Sequence, residues 1–167
     1  MITVHTIGYE KSSIEDFIAT LKLHSVDVLV DIREVPVSRK RGFSKRALSQ
    51  AVSDAGLEYA HFRALGDPKA GRDAAKRGYK EVFERIFRAH LMGEDAQAAL
   101  EEVSKLGTNS RICLLCFERD HKCCHRAIVA EELVKRGEAL EVSHLGVLRG
   151  VVDTGYGEQN ESAHSFG

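Results

Sequence analysis

Two spacings of apolar residues organise this chain. Ile2 to Ile7 alternates with polar positions and ends at Gly8, the pattern of a first strand followed by a turn that tolerates positive φ. Ser12-Ser13-Ile14-Glu15 then supplies a capping box, with Ser12 as N-cap and Glu15 reaching back. Ile14, Phe17, Ile18 and Leu21 make one helical face after it, and Val26 to Ile32 is a nearly continuous apolar run that suits a strand buried on both sides. A helix between two such strands is the opening of a parallel sheet.

The same reading carries down the chain. Residues 33 to 43 are polar and interrupted by Pro36 and Gly42, so they form a loop at the carboxyl end of the second strand. Ser44 caps a second helix through about Ala55, with Gly56 just past its end, and Leu57 to Arg63 reads as a third strand. Leu65 to Gly78 is a second polar connection, rich in glycine and cations, with the look of a mobile lid. Val82, Phe83, Ile86 and Phe87 mark a third helix, and Ala96, Ala99, Leu100 and Val103 a fourth that stops at Gly107. Residues 112 to 117 then form a short apolar run of strand length, and Ala127, Ile128, Leu133 and Val134 recur at helical spacing. Ala139 to Leu145 is a fifth strand. Strands alternating with helices predict one three-layer α/β domain over residues 1–150, built on a mostly parallel sheet of about five strands, with a C-terminal tail from 151 to 167.

Composition narrows the class. At 167 residues, 43% hydrophobic and 29% charged, the chain is long enough for one real core. It has no apolar run near the roughly 18 residues of a membrane span, and its start lacks a charged region followed by an apolar one, so no membrane association and a cytoplasmic protein are expected. Four cysteines, two of them adjacent, do not make a secreted disulfide framework, and reduced thiols are the expectation. The net charge of -1 hides an asymmetry: residues 33 to 90 hold fourteen Lys or Arg against seven Asp or Glu. A positive face of that kind draws a small anionic ligand, phosphate-bearing or nucleotide-like, and nucleic acid is the other partner it suits.

The candidate chemistry lies where strands end. In an open parallel sheet ligands bind beyond the carboxyl ends of the strands, and the loop after residues 112 to 117 places Glu118, Cys124, His125 and Arg126 there. Cys124 sits at the expected first turn of a helix beside two cationic side chains, which favours a thiolate. The opposing reading is a buried structural cysteine. Glu118 is a general acid/base or a solvated loop charge. Asp31 and Arg33 end the second strand in the same way, so Asp31 joins Cys124 and Glu118 as a catalytic candidate. Arg33, Ser38, Arg39, His125 and Arg126 are candidates for holding an anion. The bland alternative is an Asp31–Arg33 or Glu118–Arg126 ion pair that braces the loops. Cys116, Cys123, Cys124 and His125 have poor spacing for zinc, and no metal is expected; nor is a cofactor, since neither a dinucleotide glycine fingerprint nor a nucleotide phosphate loop occurs. An enzyme acting on the anion is one function class, and a non-catalytic module whose basic face contacts nucleic acid or protein is the other.

Several short motifs occur in a specific order: Thr6-Ile7-Gly8-Tyr9, Val30-Asp31-Ile32-Arg33 with Pro36 and Ser38, Tyr59-x-His61, Leu65-Gly66, and Leu115-Cys116-x-Glu118 followed by Cys124-His125-Arg126. In this the chain resembles the family catalogued as domain of unknown function 488, over about residues 2 to 148. The resemblance implies an α/β fold of bacterial and archaeal cytosolic type with the Asp-Ile-Arg and Cys-His-Arg segments as its signature, and no established reaction. Asp67 stands where members usually carry a second glycine, and Phe117 where they carry a small residue.

Overall fold

A computed structural model describes residues 2–137 and 140–150, so the expected tail and Ala139 lie outside the described residues. Five strands, β1 (Ile2–Gly8), β2 (Val28–Asp31), β3 (Glu58–His61), β4 (Ile112–Cys116) and β5 (Leu140–Leu145), form one sheet in the order β3-β2-β4-β1-β5. Every pairing is parallel, with His5 beside Cys113, Val30 beside Leu114 and Val4 beside Val142. The helices are α1 (Ile14–Leu23), α2 (Lys45–Asp54), α3 (Lys69–Lys76), α4 (Lys80–Leu91), α5 (Glu94–Asn109) and α6 (Arg126–Arg136). This is the single α/β domain that the alternating periodicities predict.

Strand alternation sorts the core into two layers. On one side of the sheet, Ile7, Leu29, Cys113 and Leu115 pack with Phe17 and Leu21 of α1 and Leu48 and Val52 of α2. On the other, Val4, Val30, Ile112 and Leu114 pack with Phe83 and Phe87 of α4, Leu100 and Val103 of α5, and Val129 and Leu133 of α6. All five residues of β4 are buried, as a central strand covered on both faces requires. No helix among the described residues is long and apolar enough to cross a membrane.

Several local expectations are corrected. Ser13, not Ser12, caps α1: its side chain accepts from the Asp16 N–H at 3.1 Å, one residue further along. Residues 66–78 are not an irregular lid, because a short 3-10 turn at Arg63–Leu65 leads directly into α3. The burial of α3 explains why periodicity passed over it: only Gly71 and Ala74 are buried, too small an apolar stripe to stand out. Helix α5 runs two residues beyond Gly107, which packs closely on Ile112. Cys124 precedes the last helix rather than opening it: residues His121–Cys123 form a 3-10 turn, and α6 starts at Arg126 with His125 as its N-cap.

Candidate functional site at the carboxyl edge of the sheet

The chain leaves β1 and β2 toward α1 and α2 on one face, and leaves β4, which lies between them, toward α6 on the other. The end of β4 is therefore a topological switch point, the place where ligands of open parallel sheets bind. Backbone contacts join the strand ends there: the Glu10 N–H donates to the Phe117 carbonyl at 2.9 Å, and the Ile32 N–H to that of Leu115 at 3.2 Å. Gly8 is obligatory here, because a Cβ at that position would stand 1.8 Å from the Glu118 carbonyl oxygen.

The structure brings the two signature segments to one edge but turns most of their side chains inward. Asp31 is wholly buried and accepts four hydrogen bonds: from the Arg33 N–H (3.1 Å), Nε (2.9 Å) and Nη2 (2.7 Å), and from the Tyr59 hydroxyl (2.5 Å). Burial first, then the bond to Asp31, raises the Tyr59 pKa, so the phenol keeps its proton and donates it. Arg33 spends its remaining reach on the Phe43 carbonyl (2.6 Å) and the Tyr9 hydroxyl (3.3 Å). The Asp31–Arg33 ion pair that the sequence allowed as the alternative is present, and it ties the loop after β2 to Phe43. Phe43, stacked on Tyr9 at 4.5 Å, is what it fixes in place.

Arg126 is more deeply enclosed still, with no exposed surface. It donates from Nε to Thr6 Oγ1 (3.1 Å), from Nη1 to Cys116 Sγ (3.1 Å) and to the Glu118 carbonyl, and from Nη2 to the Arg119 carbonyl (3.0 Å). The Thr6 hydroxyl is also hydrogen-bonded to Nδ1 of His144, 2.6 Å away. Burial lowers the Arg126 pKa to about 10, with Cys113 and Glu118 opposing, so the guanidinium stays charged at neutral pH. Arg126 meets the backbone of Glu118, not its carboxylate, and both arginines expected in an anion cradle have their forks occupied from within.

His125 is also pinned. Its Nε2 lies 2.7 Å from the Ile32 carbonyl and must donate, which leaves Nδ1 as the acceptor, 3.6 Å from Cys124 Sγ. Burial lowers its pKa to about 4, so the ring is neutral. His61 and His90 make the same kind of contact to the Arg33 and Ala64 carbonyls, each at 2.7 Å. Three imidazoles therefore tie down the backbone after β2 and the 3-10 turn after β3.

The expectation of four reduced thiols is corrected: Cys116 and Cys124 form a disulfide, their Cα atoms 7.2 Å apart. Cys116, at the last position of β4, points toward α6, whereas Cys113 points into the opposite layer and is free. Cys123 faces outward, its sulfur 3.7 Å from Asp120.

The other candidate groups are less enclosed. Glu118 is half-buried; burial raises its pKa, while its own backbone N–H and Arg126 oppose the shift. Ser38 accepts the Lys40 N–H at 3.1 Å, and its backbone is clasped by the Ser44 hydroxyl, which caps no helix bond. Arg39 is exposed on the same loop. Neither Ser38 nor Arg39 joins the Asp31 or Arg126 networks among the described hydrogen bonds. A cleft of about 440 Å³ opens at the opposite, amino edge of the sheet, beside His5, His24, Asp27 and Arg111, away from every candidate residue.

One buried carboxyl near Glu118 was missed from the sequence. Asp67 is only 5% exposed, its Oδ1 has no hydrogen-bond partner, and the same atom lies so close to Gly71 that a Cβ there would stand 1.9 Å away. Burial raises its pKa to about 7, the nearby Glu118 and Glu34 charges adding to the shift and Arg72 opposing it. Arg72 bridges this group, donating to the Asp67 carbonyl at 2.7 Å and pairing with Glu34 at 3.2 Å. The available signal was the two glycines: Gly66 and Gly71 flank Asp67 and both admit close backbone approach, Gly66 to Glu34.

A pH dependence follows. The folded carboxyl binds its proton up to about pH 7, the unfolded one only to about 3.8, so between those values the folded state holds more protons and loses stability as pH rises. The upper limit of that loss is about 4 kcal/mol, and the high effective dielectric of real protein sites reduces it to on the order of 1–2 kcal/mol. Asp67→Asn should therefore lie closest to the parent chain at the lower end of that window, near pH 4, and become the more stable of the two near pH 8. Denaturant midpoints at both pH values check this, and a difference that does not grow with pH refutes it.

No curated protein and no solved structure matches the chain. A family model does, over residues 13–133, described as Domain of unknown function DUF488. That span runs from the cap of α1 to Leu133 in α6 and takes in Asp31, Arg33, Asp67, Glu118 and the Cys-His-Arg segment, so the chain belongs to the DUF488 family.

Proposed function

We propose that this protein is an enzyme that acts on a small anionic ligand, phosphate-bearing or nucleotide-like, at the carboxyl edge of the sheet. The observation that carries this reading is the buried Asp67 carboxyl with an unpaired oxygen, set beside the β4 switch point within charge reach of Glu118, Glu34 and Arg72. A carboxyl that titrates near neutrality suits proton transfer at physiological pH. In this reading Asp67 moves the proton and Glu118 orients the reacting group, with Cys124 supplying a thiolate once a thiol reductant has converted the Cys116–Cys124 bond to two thiols and left as its own disulfide. Ser38 and Arg39, on a loop clasped at both ends, meet the anion. Asp31, Arg33, His125 and Arg126 position these groups from behind.

The second reading, a non-catalytic module, draws its support from the exposed stretch Val37, Arg39 and Arg41, where an apolar side chain lies among cations. One experiment separates the two. Inorganic phosphate or a nucleoside monophosphate at about a hundred times its Kd should add about 2.7 kcal/mol of stability, which is on the order of 5–10 °C in Tm for a chain of this size. The Ser38→Ala/Arg39→Ala variant should lose most of that shift. Failure of every small anion to move the melt, while a single-stranded oligonucleotide does so in a steeply salt-dependent way, would replace the enzyme with the binding module.

A further inference from the structure

Beside Glu118, at the end of β4, lies a cluster of which the proposed reaction uses only the Cys124 thiolate. Sγ of Cys116, Sγ of Cys124 and a ring nitrogen of His125 all lie within 4.8 Å of one another, and all three residues are buried. We infer that Cys116, Cys124 and His125 form a binding site for a divalent cation that favours sulfur and nitrogen, zinc being the ion of that class best suited to two thiolates and one imidazole.

The surroundings fit that role. The nitrogen of a metal-binding histidine is usually oriented by a hydrogen bond from the other ring nitrogen to a carbonyl or carboxylate. His125 has this arrangement: Nε2 donates to the Ile32 carbonyl at 2.7 Å, and Nδ1 stands free on the sulfur side, 3.6 Å from Cys124. The Nη1 of Arg126 donates to Cys116 Sγ at 3.1 Å, the contact that a metal-bound thiolate, rich in negative charge, accepts well. The elements are rigid on both sides, since Cys116 ends a central strand and His125 caps a helix. The Cα separation of 7.2 Å lies beyond the 4.4–6.8 Å usual for a disulfide, and two thiolates on one ion accommodate it. Adjacent cysteines spoil the spacing when read in sequence, but in the fold Cys123 turns away toward Asp120 and drops out.

Disulfide and ion exclude each other. A thiol reductant delivers two electrons and two protons to the Cys116–Cys124 bond, giving two thiols and the reductant's own disulfide. Binding the ion then releases both thiol protons to solvent. Among the described His, Cys, Asp and Glu residues only three ligands meet, and a tetrahedral ion with three protein ligands keeps one position for water or another donor. The inference is independent of the anion reading, because metal content is measured with no anion present.

The test uses the full chain, reduced with a phosphine and kept free of oxygen, titrated with cobalt(II) and then with zinc. The expected result is a sulfur-to-cobalt charge-transfer band with the visible spectrum of a tetrahedral ion, saturating at about one ion per chain, and bleached by zinc. Cys124→Ser and Cys116→Ser should each lose the charge-transfer intensity in part or whole, and Cys123→Ser should keep all of it. Should either serine variant fail to fold, alkylation of the parent chain decides: zinc must slow modification of Cys116 and Cys124 and leave that of Cys123 unchanged. A reduced, folded chain with no charge-transfer band overturns the inference, as does a band that keeps its full intensity in folded Cys124→Ser or zinc that protects Cys123 equally. In any of those cases a phosphate-induced rise in Tm would leave the anion site standing.

Discussion

Arg126→Met should cost about 3–5 kcal/mol, the loss seen when one member of a buried, hydrogen-bonded charge network is removed. For a domain of this size that lowers Tm by on the order of 10 °C or more. The reason is the number of acceptors one guanidinium serves. Thr6, Cys116 and the carbonyls of Glu118 and Arg119 all face it, and methionine fills the volume while satisfying none of them. Arg126→Lys keeps the charge but not the planar fork, so it should recover less than half of the loss. The damage should also be local before it is global: amide exchange of Glu118 and Arg119 should accelerate in the lysine variant while the amides of β2 and α2 stay protected. A melt of Arg126→Met within a degree or two of the parent would mean that the loop after β4 does not depend on this residue. Arg126 would then be available to an external anion after all.

That inward orientation marks the limit of what the sequence could say. Residue type and position at a strand end placed Asp31, Arg33, Glu118 and Arg126 on one edge, and the sheet does put them there. Whether an arginine faces a ligand or the protein depends on what the other loops bring to meet it. For Arg33 that is the Phe43 carbonyl and the Tyr59–Asp31 contact, ten and more residues away in sequence. The strands were legible because β2 and β4 are covered on both faces and must be apolar throughout, a constraint that local pattern records. The exact cap of α1 was not, since Ser12 and Ser13 both precede an acidic residue by three positions and only the observed Ser13–Asp16 bond chooses between them.

Helix α3 and Asp67 were hidden for related reasons. A helix whose buried face is a glycine and an alanine has almost no hydrophobic signature, so its residues look like a charged loop. Asp67, in a Gly-Asp-Pro turn, looks like an ordinary solvated acid until α3 folds back over it. Cys116 and Cys124 show the opposite failure. Both were noticed, but seven intervening residues gave no means of knowing that the 3-10 turn at His121–Cys123 carries Cys124 back over the end of β4 while sending Cys123 outward.

Asp31→Ala should be the second severe substitution, again by about 3–5 kcal/mol, because it strands the Arg33 guanidinium, itself 6% exposed, without its counter-charge. It also removes the acceptor of the Tyr59 hydroxyl and of the Arg33 backbone N–H. Tyr59→Phe alone should cost only about 0.5–1.5 kcal/mol, the ordinary net value of one hydrogen bond. The decisive comparison is a cycle with Arg33→Met. If the pair is a brace, removing both partners should be milder than the sum of the single losses, since the double variant leaves no buried charge unpaired. If Asp31 instead serves a bound ligand, the single variant should keep nearly the stability of the parent and lose only the response to anions. Denaturant unfolding of the four chains, with and without phosphate, reads both quantities at once. A loss below about 1 kcal/mol for Asp31→Ala, together with a vanished phosphate shift, would move this residue from the scaffold into the site.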